Sequence, residues 1–516
     1  LRLLALALLA VALLAAPAAY AQSVTTGMLT GSVSGTEDAG GGVLPGASVV
    51  AIHEPTGTVY NATTGPDGRF VIPNVRSGGP YQVTAAAQGY KETGVSNVFA
   101  VLGQAVEVTV ELPLAAVEET INVVATADEI INPNRTGSSS AVSTETIENG
   151  PTVRRQIQDF ARMNPYFAVD ATDASSSRIN VGGRNNRYNS IQIDGAVNND
   201  LFGLADTGTP GGQTDAQPIS LDAISQLQLV VSPYDVRQGG FTGGGINAVT
   251  RSGSNDFTGS VYGSKRDESV VGDYIRTRPS ASSTNLETRK LPVSNFSEEQ
   301  YGLRLGGRIV PDKLFFFVSG ELNSRDQPDG ASADGSTGVV YRGSTSVSGV
   351  ANILRSRHGY DPGGLGEIVG VTESDLLFGR LDWNAAQNHQ VTLRHNYVDA
   401  VRDTIADRFA TRFRFPTSIY TIADETNSTV LQANSVFGPN VFNEGRLGYQ
   451  TIKDVRNVPV TFPSVEVGPT GPRAGEVNAG TERFSGANAL DQDVLEITDD
   501  VTFLRGDHTI TVGTHN

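Results

Sequence analysis

The chain has 516 residues, with 55 Asp and Glu against 38 Lys and Arg, and a formal net charge of −17. So acidic a balance excludes non-specific nucleic-acid binding, which needs a basic surface to neutralise phosphates. The 58 glycines and only two methionines point to strands joined by polar loops, and the lack of any cysteine removes disulfides and thiol nucleophiles.

The first residues carry an address. Arg2 precedes an unbroken Leu, Ala and Val run over 3–14, followed by Pro17 and the small-x-small pattern Ala19-Tyr20-Ala21. Such a run is too short to span a bilayer and suits the apolar region of a secretory signal, so residues 1–21 are read as a signal peptide. No later apolar run approaches the eighteen residues of a membrane helix. An exported chain without thiols fits a bacterial periplasm or outer membrane.

Residues 22–113 alternate short β-type runs, at 28–33, 47–53, 58–63, 69–72, 81–87 and 106–112, with turn formers such as Gly65-Pro66-Asp67-Gly68. That rhythm predicts a small antiparallel β-sandwich. Within residues 114–130, the run Glu118, Glu119, Thr120, Ile121, Asn122, Val123, Val124 has an acidic start and a β-prone end. By itself it reads as a linker strand; the alternative is an extended peptide that adds to a partner's sheet edge.

Residues 131–256 read as a mixed α/β unit. Val153, Ile157, Phe160 and Ala161 have helical spacing behind Pro151, strands at 179–181 and 190–193 flank the turn GGRNNRYN, and 219–231 passes from a short helix into a strand. The later run GGFTGGGINAVT is neither a phosphate loop nor a dinucleotide fingerprint, because no Gly-Lys-Ser/Thr follows it and a strand, not a helix, comes next.

From Phe257 onward, nine candidate strands are centred on 257–264, 300–310, 313–323, 375–384, 389–398, 428–437, 441–454, 493–504 and 507–514. Several alternate with period two: Leu377, Leu381 and Trp383 share one face, as do Val391, Leu393 and Tyr397. Their connectors alternate strictly between long polar stretches and tight turns. That asymmetry is the rhythm of an outer-membrane β-barrel, whereas connections in compact soluble domains are usually about 2–8 residues. Arg505-Gly506-Asp507 falls at a tight turn, and the acid-rich 326–338 stretch reads as a solvated loop. The six histidines are scattered without metal-site spacing, and no Gly-x-Ser-x-Gly elbow occurs, so no enzyme, cofactor or metal is expected.

Three stretches carry a family resemblance. TTGPDGRFVIPNV resembles the carboxypeptidase-regulatory-like domain, which implies an Ig-like β-sandwich. RINVGGRNNRYNSIQIDGAVNND (178–200) and the stretch from Ile219 to Gly263 are similar to the plug of TonB-dependent outer-membrane receptors. EETINVVATA stands where that family has its TonB box, and the domain order resembles the Oar-like group. The resemblance implies a mainly β chain: sandwich at 22–113, TonB-box-like segment and linker at 114–130, α/β plug at 131–256, and the N-terminal part of a transmembrane barrel at 257–516.

It further implies that Glu118 to Val124 contacts TonB, powered by an inner-membrane energising complex. Arg184, Asn185, Asn186, Arg187 and Asn189 would be apical plug contacts. Arg178 and Asp194 would lock the plug to the barrel wall, against which Gly243, Gly244 and Gly245 would let the last plug section lie closely. The partners expected are TonB, outer-membrane lipid and a large substrate of unknown identity. Because a plug of this kind fits a lumen of about 22 strands, nine strands are expected to be a fragment. The rival class is a surface protein of the same scaffold, acting in adhesion, signalling or protein export.

Overall fold

The computed structural model describes residues 25–516, apart from 103–104, 116–122, 125–137, 153, 170–177, 206, 233–236, 239–240, 271–273, 280–285, 292–294, 329, 337–339, 405–407, 439, 469–474 and 506–507. The expected signal peptide therefore lies outside the described residues. Seven strands form the first unit: β1 (Thr26–Gly35), β2 (Ser48–His53), β3 (Thr58–Thr63), β4 (Arg69–Arg76), β5 (Gly78–Ala86), β6 (Thr93–Ala100) and β7 (Ala105–Leu112). They make two sheets, β4-β1-β7 and β3-β2-β5-β6, packed on a core that includes Leu29, Val49, Phe70, Tyr81 and Val108.

Two features depart from the expected antiparallel sandwich. Strands β1 and β7 run parallel, from Met28 beside Ala105 to Gly35 beside Leu112. Strand β6 was not anticipated, because Asn97 takes a left-handed φ of 62° and breaks its alternation.

His53 is buried at the end of β2, with Nδ1 2.7 Å from the Thr56 hydroxyl and its ring 4.8 Å from that of Tyr81. Burial, reinforced by the Arg76 charge, pulls its pKa down to about 3. The unfolded chain takes up this proton near pH 6.5, whereas the folded chain resists it. Sandwich stability is therefore expected to fall as pH drops from about 6.5 towards 3 and to level off below. Hydrogen exchange of β2 and β5 amides in the full chain should quicken over that window, and His53→Asn should remove that component.

Strand β8 (Val123–Val124) then adds parallel to β6, with Val95 beside Val123 and Ser96 beside Val124. The second unit comprises β9 (Ser138–Val142), α1 (Thr144–Asn149), α2 (Ile157–Ala161), β10 (Phe167–Val169), β11 (Ile179–Val181), β12 (Ser190–Ile193), β13 (Ala196–Val197), β14 (Ile224–Ser232) and β15 (Gly245–Thr250). Its main sheet has the order β13-β12-β15-β14-β9, with β12 and β15 parallel. The helix expected behind Pro151 shrinks to five residues. The Asp159 carboxylate accepts from the backbone N–H groups of Arg154 and Gln156, so the first turn starts only after Gln156.

The third unit contains β16 (Thr258–Asp267), β17 (Tyr274–Pro279), β18 (Leu286–Leu291), β19 (Ser297–Val310), β20 (Leu314–Pro328), α3 (Val347–His358), β21 (Val369–Ala386), β22 (His389–Thr404), β23 (Arg412–Arg414), β24 (Tyr420–Val436), β25 (Val441–Asn457), β26 (Val465–Val467), β27 (Glu476–Ala479), β28 (Ala489–Arg505) and β29 (His508–His515). Nine of these form one sheet in chain order, β16-β19-β20-β21-β22-β24-β25-β28-β29, with every neighbour antiparallel. These are the nine strands expected from the alternation.

The two faces of that sheet invert the rule for soluble proteins. Leu377, Leu381, Trp383, Leu393, Leu431 and Leu447 are exposed on the outer face, whereas Asp382 and Arg394 are buried on the inner one and Arg380 is half-buried beside them. A belt of exposed large apolar side chains over a polar interior is the pattern of a lipid-facing barrel wall. Strands of up to 18 residues exceed the roughly 9–11 needed to cross a bilayer and so project beyond it.

At the long-loop end the connectors are not merely solvated. Helix α3 and the small sheet β23-β27-β26 enclose their own core of Val347, Val350, Ala351, Leu354, Phe413, Phe415 and Val477. Ser346 caps the helix N-terminus and Gly359, at φ 62°, closes its C-terminus.

Candidate functional site

The second unit seats on the inner face of the nine-stranded sheet, and the junction is built around one turn. Asp194 (φ 46°) and Gly195 (φ 71°) reverse the chain between β12 and β13, a two-residue Asp-Gly hairpin. The turn fixes the Asp194 carboxylate, which accepts from the Thr250 backbone N–H at 2.8 Å and the Thr250 hydroxyl at 2.7 Å. Two cations from the wall meet the same carboxylate: Arg394 Nε at 3.1 Å and Arg380 Nη1 at 3.6 Å. Arg380 also grips Asp382 through Nε at 2.9 Å and Nη2 at 2.8 Å, and donates to the Thr250 hydroxyl at 2.7 Å.

The polar seam continues on either side. Arg446 donates to the Asp194 carbonyl at 3.3 Å, the Val197 N–H donates to Glu496 at 2.9 Å, and Gln450 reaches Asn198 at 2.8 Å. Asn396 donates to the Pro218 carbonyl at 2.8 Å, and Ser220 to Glu321 at 2.6 Å. Apolar contact is added where Phe317 and Phe378 of the wall join the core of the second unit. The result is a plug held by many directed polar contacts. Each buried charge in the Asp194–Arg380–Asp382 group faces an opposite one, which offsets the cost of burying it.

Near the long-loop end, the plug and wall leave a cavity of about 210 Å³. Arg154, Asp215 and Gln217 of the plug face Arg266, Glu298 and Arg325 of strands β16, β19 and β20 across it. Arg325 Nη1 bonds Asp215 at 3.0 Å. Among the described residues no group of three or more His, Asp or Glu is placed to hold a metal ion.

The other residues singled out from sequence fall in different places. Arg184, Asn185 and Arg187 are exposed on the plug surface. Asn186 is buried, and Asn189 is too, donating to the Ile179 carbonyl at 2.7 Å and accepting from the Gly244 N–H at 3.0 Å. Asn189 is therefore an internal tie of the plug. Arg178 is half-buried just before β11. Glu118, Glu119, Thr120, Ile121 and Asn122 lie outside the described residues, and Val123 and Val124 form β8.

The glycine run needs correcting. A Cβ on Gly243 would strike Asn189 and come within 2.9 Å of the Tyr188 carbonyl, one on Gly244 would lie 2.6 Å from Val181, and one on Gly245 3.3 Å from Phe241. All these neighbours belong to the plug, so the run makes a close approach within the plug and not to the barrel wall. A glycine packed against the backbone of the wall is Gly253, whose added Cβ would strike the Phe316 carbonyl and lie 2.6 Å from that of Gly307. Sequence reading missed it because it sits alone in a polar stretch, and its neighbours are strands distant in the chain.

Comparison with known proteins places these units in context. The family described as "Carboxypeptidase regulatory-like domain" matches residues 28–113, and that described as "Outer membrane beta barrel domain" matches residues 249–350 and 368–515. The TonB-dependent transporter Oar of Myxococcus xanthus is 27% identical over 319 residues, which cover 60% of this chain and 27% of that protein. The chain thus spans about a quarter of the length of the curated relative it matches. Solved structures with similar parts include the outer membrane transporter YddB from Escherichia coli, with TM-score 0.49 and 17% identity over 71% of this chain and 46% of that one. The siderophore receptor PirA from Acinetobacter baumannii has TM-score 0.41 and 15% identity, over 71% and 44% of the two chains.

Proposed function

From the chain's membership of the TonB-dependent outer-membrane receptors, Oar-like and with a carboxypeptidase-regulatory-like domain in front, we propose that it serves energy-coupled transport of a large substrate across the outer membrane. The protein resides in the outer membrane with its N-terminal domain facing the periplasm. In this reading the coupling region is 114–130, between a sandwich at 22–113 and a plug at 131–256, with the barrel section from 257 onward. The stretch from Glu118 to Val124 pairs as a strand with TonB, and the pull loosens the plug and opens a path along the barrel wall. Arg184, Asn185 and Arg187 meet substrate from the plug surface.

The observation that carries this reading is the kind of contact at the plug's seat. It is polar, directed and divisible, so a pull can break it bond by bond, whereas a continuous apolar seal would resist separation as a whole. Deleting 118–124 from the full-length protein is expected to abolish capture of the chain by the periplasmic domain of TonB, read by co-purification. Undiminished capture and uptake would sink the coupling role. The folded cap of α3 with β23, β26 and β27 also suits a surface-recognition protein in adhesion, signalling or protein export. That reading gains if the deletion leaves the cellular phenotype intact.

A further inference from the structure

The sandwich has no chain-connectivity reason to touch the barrel, yet its edge is bonded along the short-turn ends of the barrel strands. Arg76, at the end of β4, reaches Asp382 with Nη1 at 3.4 Å and Asn384 with Nη2 at 3.4 Å. Its own backbone is braced by Tyr81, whose hydroxyl donates to the Arg76 carbonyl at 2.6 Å, and by Tyr60, which accepts from its N–H at 3.3 Å. Asn384 donates to Thr58 at 3.1 Å, and Gln390 donates to Tyr60 at 3.0 Å. Further along, Thr25 donates to Glu444 at 2.9 Å and accepts from Gln432 at 2.9 Å. The strap between plug and barrel joins in, since the Asn255 N–H donates to the Pro55 carbonyl at 2.7 Å.

Asp382 is fully buried, and it is the same carboxylate that Arg380 grips while holding Asp194 of the plug. A chain of alternating charge therefore runs from the sandwich to the plug: Arg76, Asp382, Arg380, Asp194, Arg394. We propose that the N-terminal sandwich is a latch: it docks on the periplasmic rim of the barrel and, through Arg76, steadies the charge group that seats the plug. Plug movement then requires the sandwich to leave the rim. Strand β8 lies on the edge of this same domain, so a pull applied there reaches the latch before the plug. Only the source of the pull rests on the transport reading; the docking itself does not.

The lack of native cysteine makes a clean test possible. A Cβ at Gly57 would lie 3.4 Å from the Asp312 Cβ, close to the separation of about 3.5–4.5 Å in disulfides. In full-length protein folded in the outer membrane, Gly57→Cys with Asp312→Cys is expected to form a crosslink reversed by reductant. Adding Arg76→Gln should lower its yield several-fold, whereas Arg69→Gln, at an exposed pair with Glu107, should not. Hydrogen exchange of β15 amides should be slower with the crosslink closed than after reduction, and faster in Arg76→Gln than in the unmodified chain. Free thiols in folded protein would overturn the docking. Equal exchange in the closed, reduced and Arg76→Gln forms would overturn the latch. Neither readout needs TonB or a substrate, so failure of transport and failure of the latch are separable.

Discussion

Replacing Asp194 by alanine is expected to unseat the plug while leaving the barrel sheet intact. The substitution removes a carboxylate shared by Arg394, Arg380, and both the N–H and hydroxyl of Thr250. Arg380 keeps Asp382, but Arg394 loses its partner at 3.1 Å while remaining buried. Removing one partner of a buried pair typically costs about 3–5 kcal/mol, because the other charge is left uncompensated. The open population of the plug should then rise by roughly two to four orders of magnitude, at about 1.4 kcal/mol per tenfold. Exchange of β12 and β15 amides, or protease cutting within the plug of the folded protein, would report it. Glu107→Ala supplies the contrast, since its pair with Arg69 is exposed and worth at most about 1 kcal/mol. Equal protection in Asp194→Ala and the unmodified chain would show that the seat lies elsewhere.

The second large effect is expected at Gly253. Its neighbours are backbone carbonyls of Phe316 and Gly307, which belong to hydrogen-bonded strands and cannot rotate aside as a side chain can. An added side chain must therefore lift the 251–257 strap off the wall or bend β19 and β20. Overpacking in a tight site costs about 1–3 kcal/mol, and more where backbone must move. Gly253→Val should thus lower the yield of folded outer-membrane protein and loosen the plug, with Gly253→Ala intermediate. Gly244→Val should act differently, distorting the plug around Val181 without freeing the strap. Comparing strap cleavage by protease in the two variants separates these outcomes.

These two positions show what was and was not legible in the residues. Asp194 stood out through the family resemblance carried by 178–200, and its Asp-Gly turn depends only on its own two backbone conformations. Gly253 did not, because its need for a bare Cα comes from strands about fifty and sixty residues later in the chain. Helix α3 was there to be read: Val347, Val350, Ala351 and Leu354 recur at helical spacing behind Ser346. It escaped because a long connector between barrel strands is expected to be irregular. The glycine run was seen and assigned the wrong neighbour, since crowding at Gly243 and Gly244 comes from the plug's own Asn189 and Val181.

What local chemistry dictates, the residues determined by themselves. Period-two alternation with one-sided long connectors sufficed for nine antiparallel strands in chain order, because register and face follow from side-chain period and turn length. Only the tertiary structure decided which charges meet. Arg76, Asp194, Arg380, Asp382 and Arg394 come from three separate units, and nothing in their spacing marks them as one group. Ion pairing depends on distance in space and on exclusion of water, and both are set when the sandwich, plug and wall close on one another.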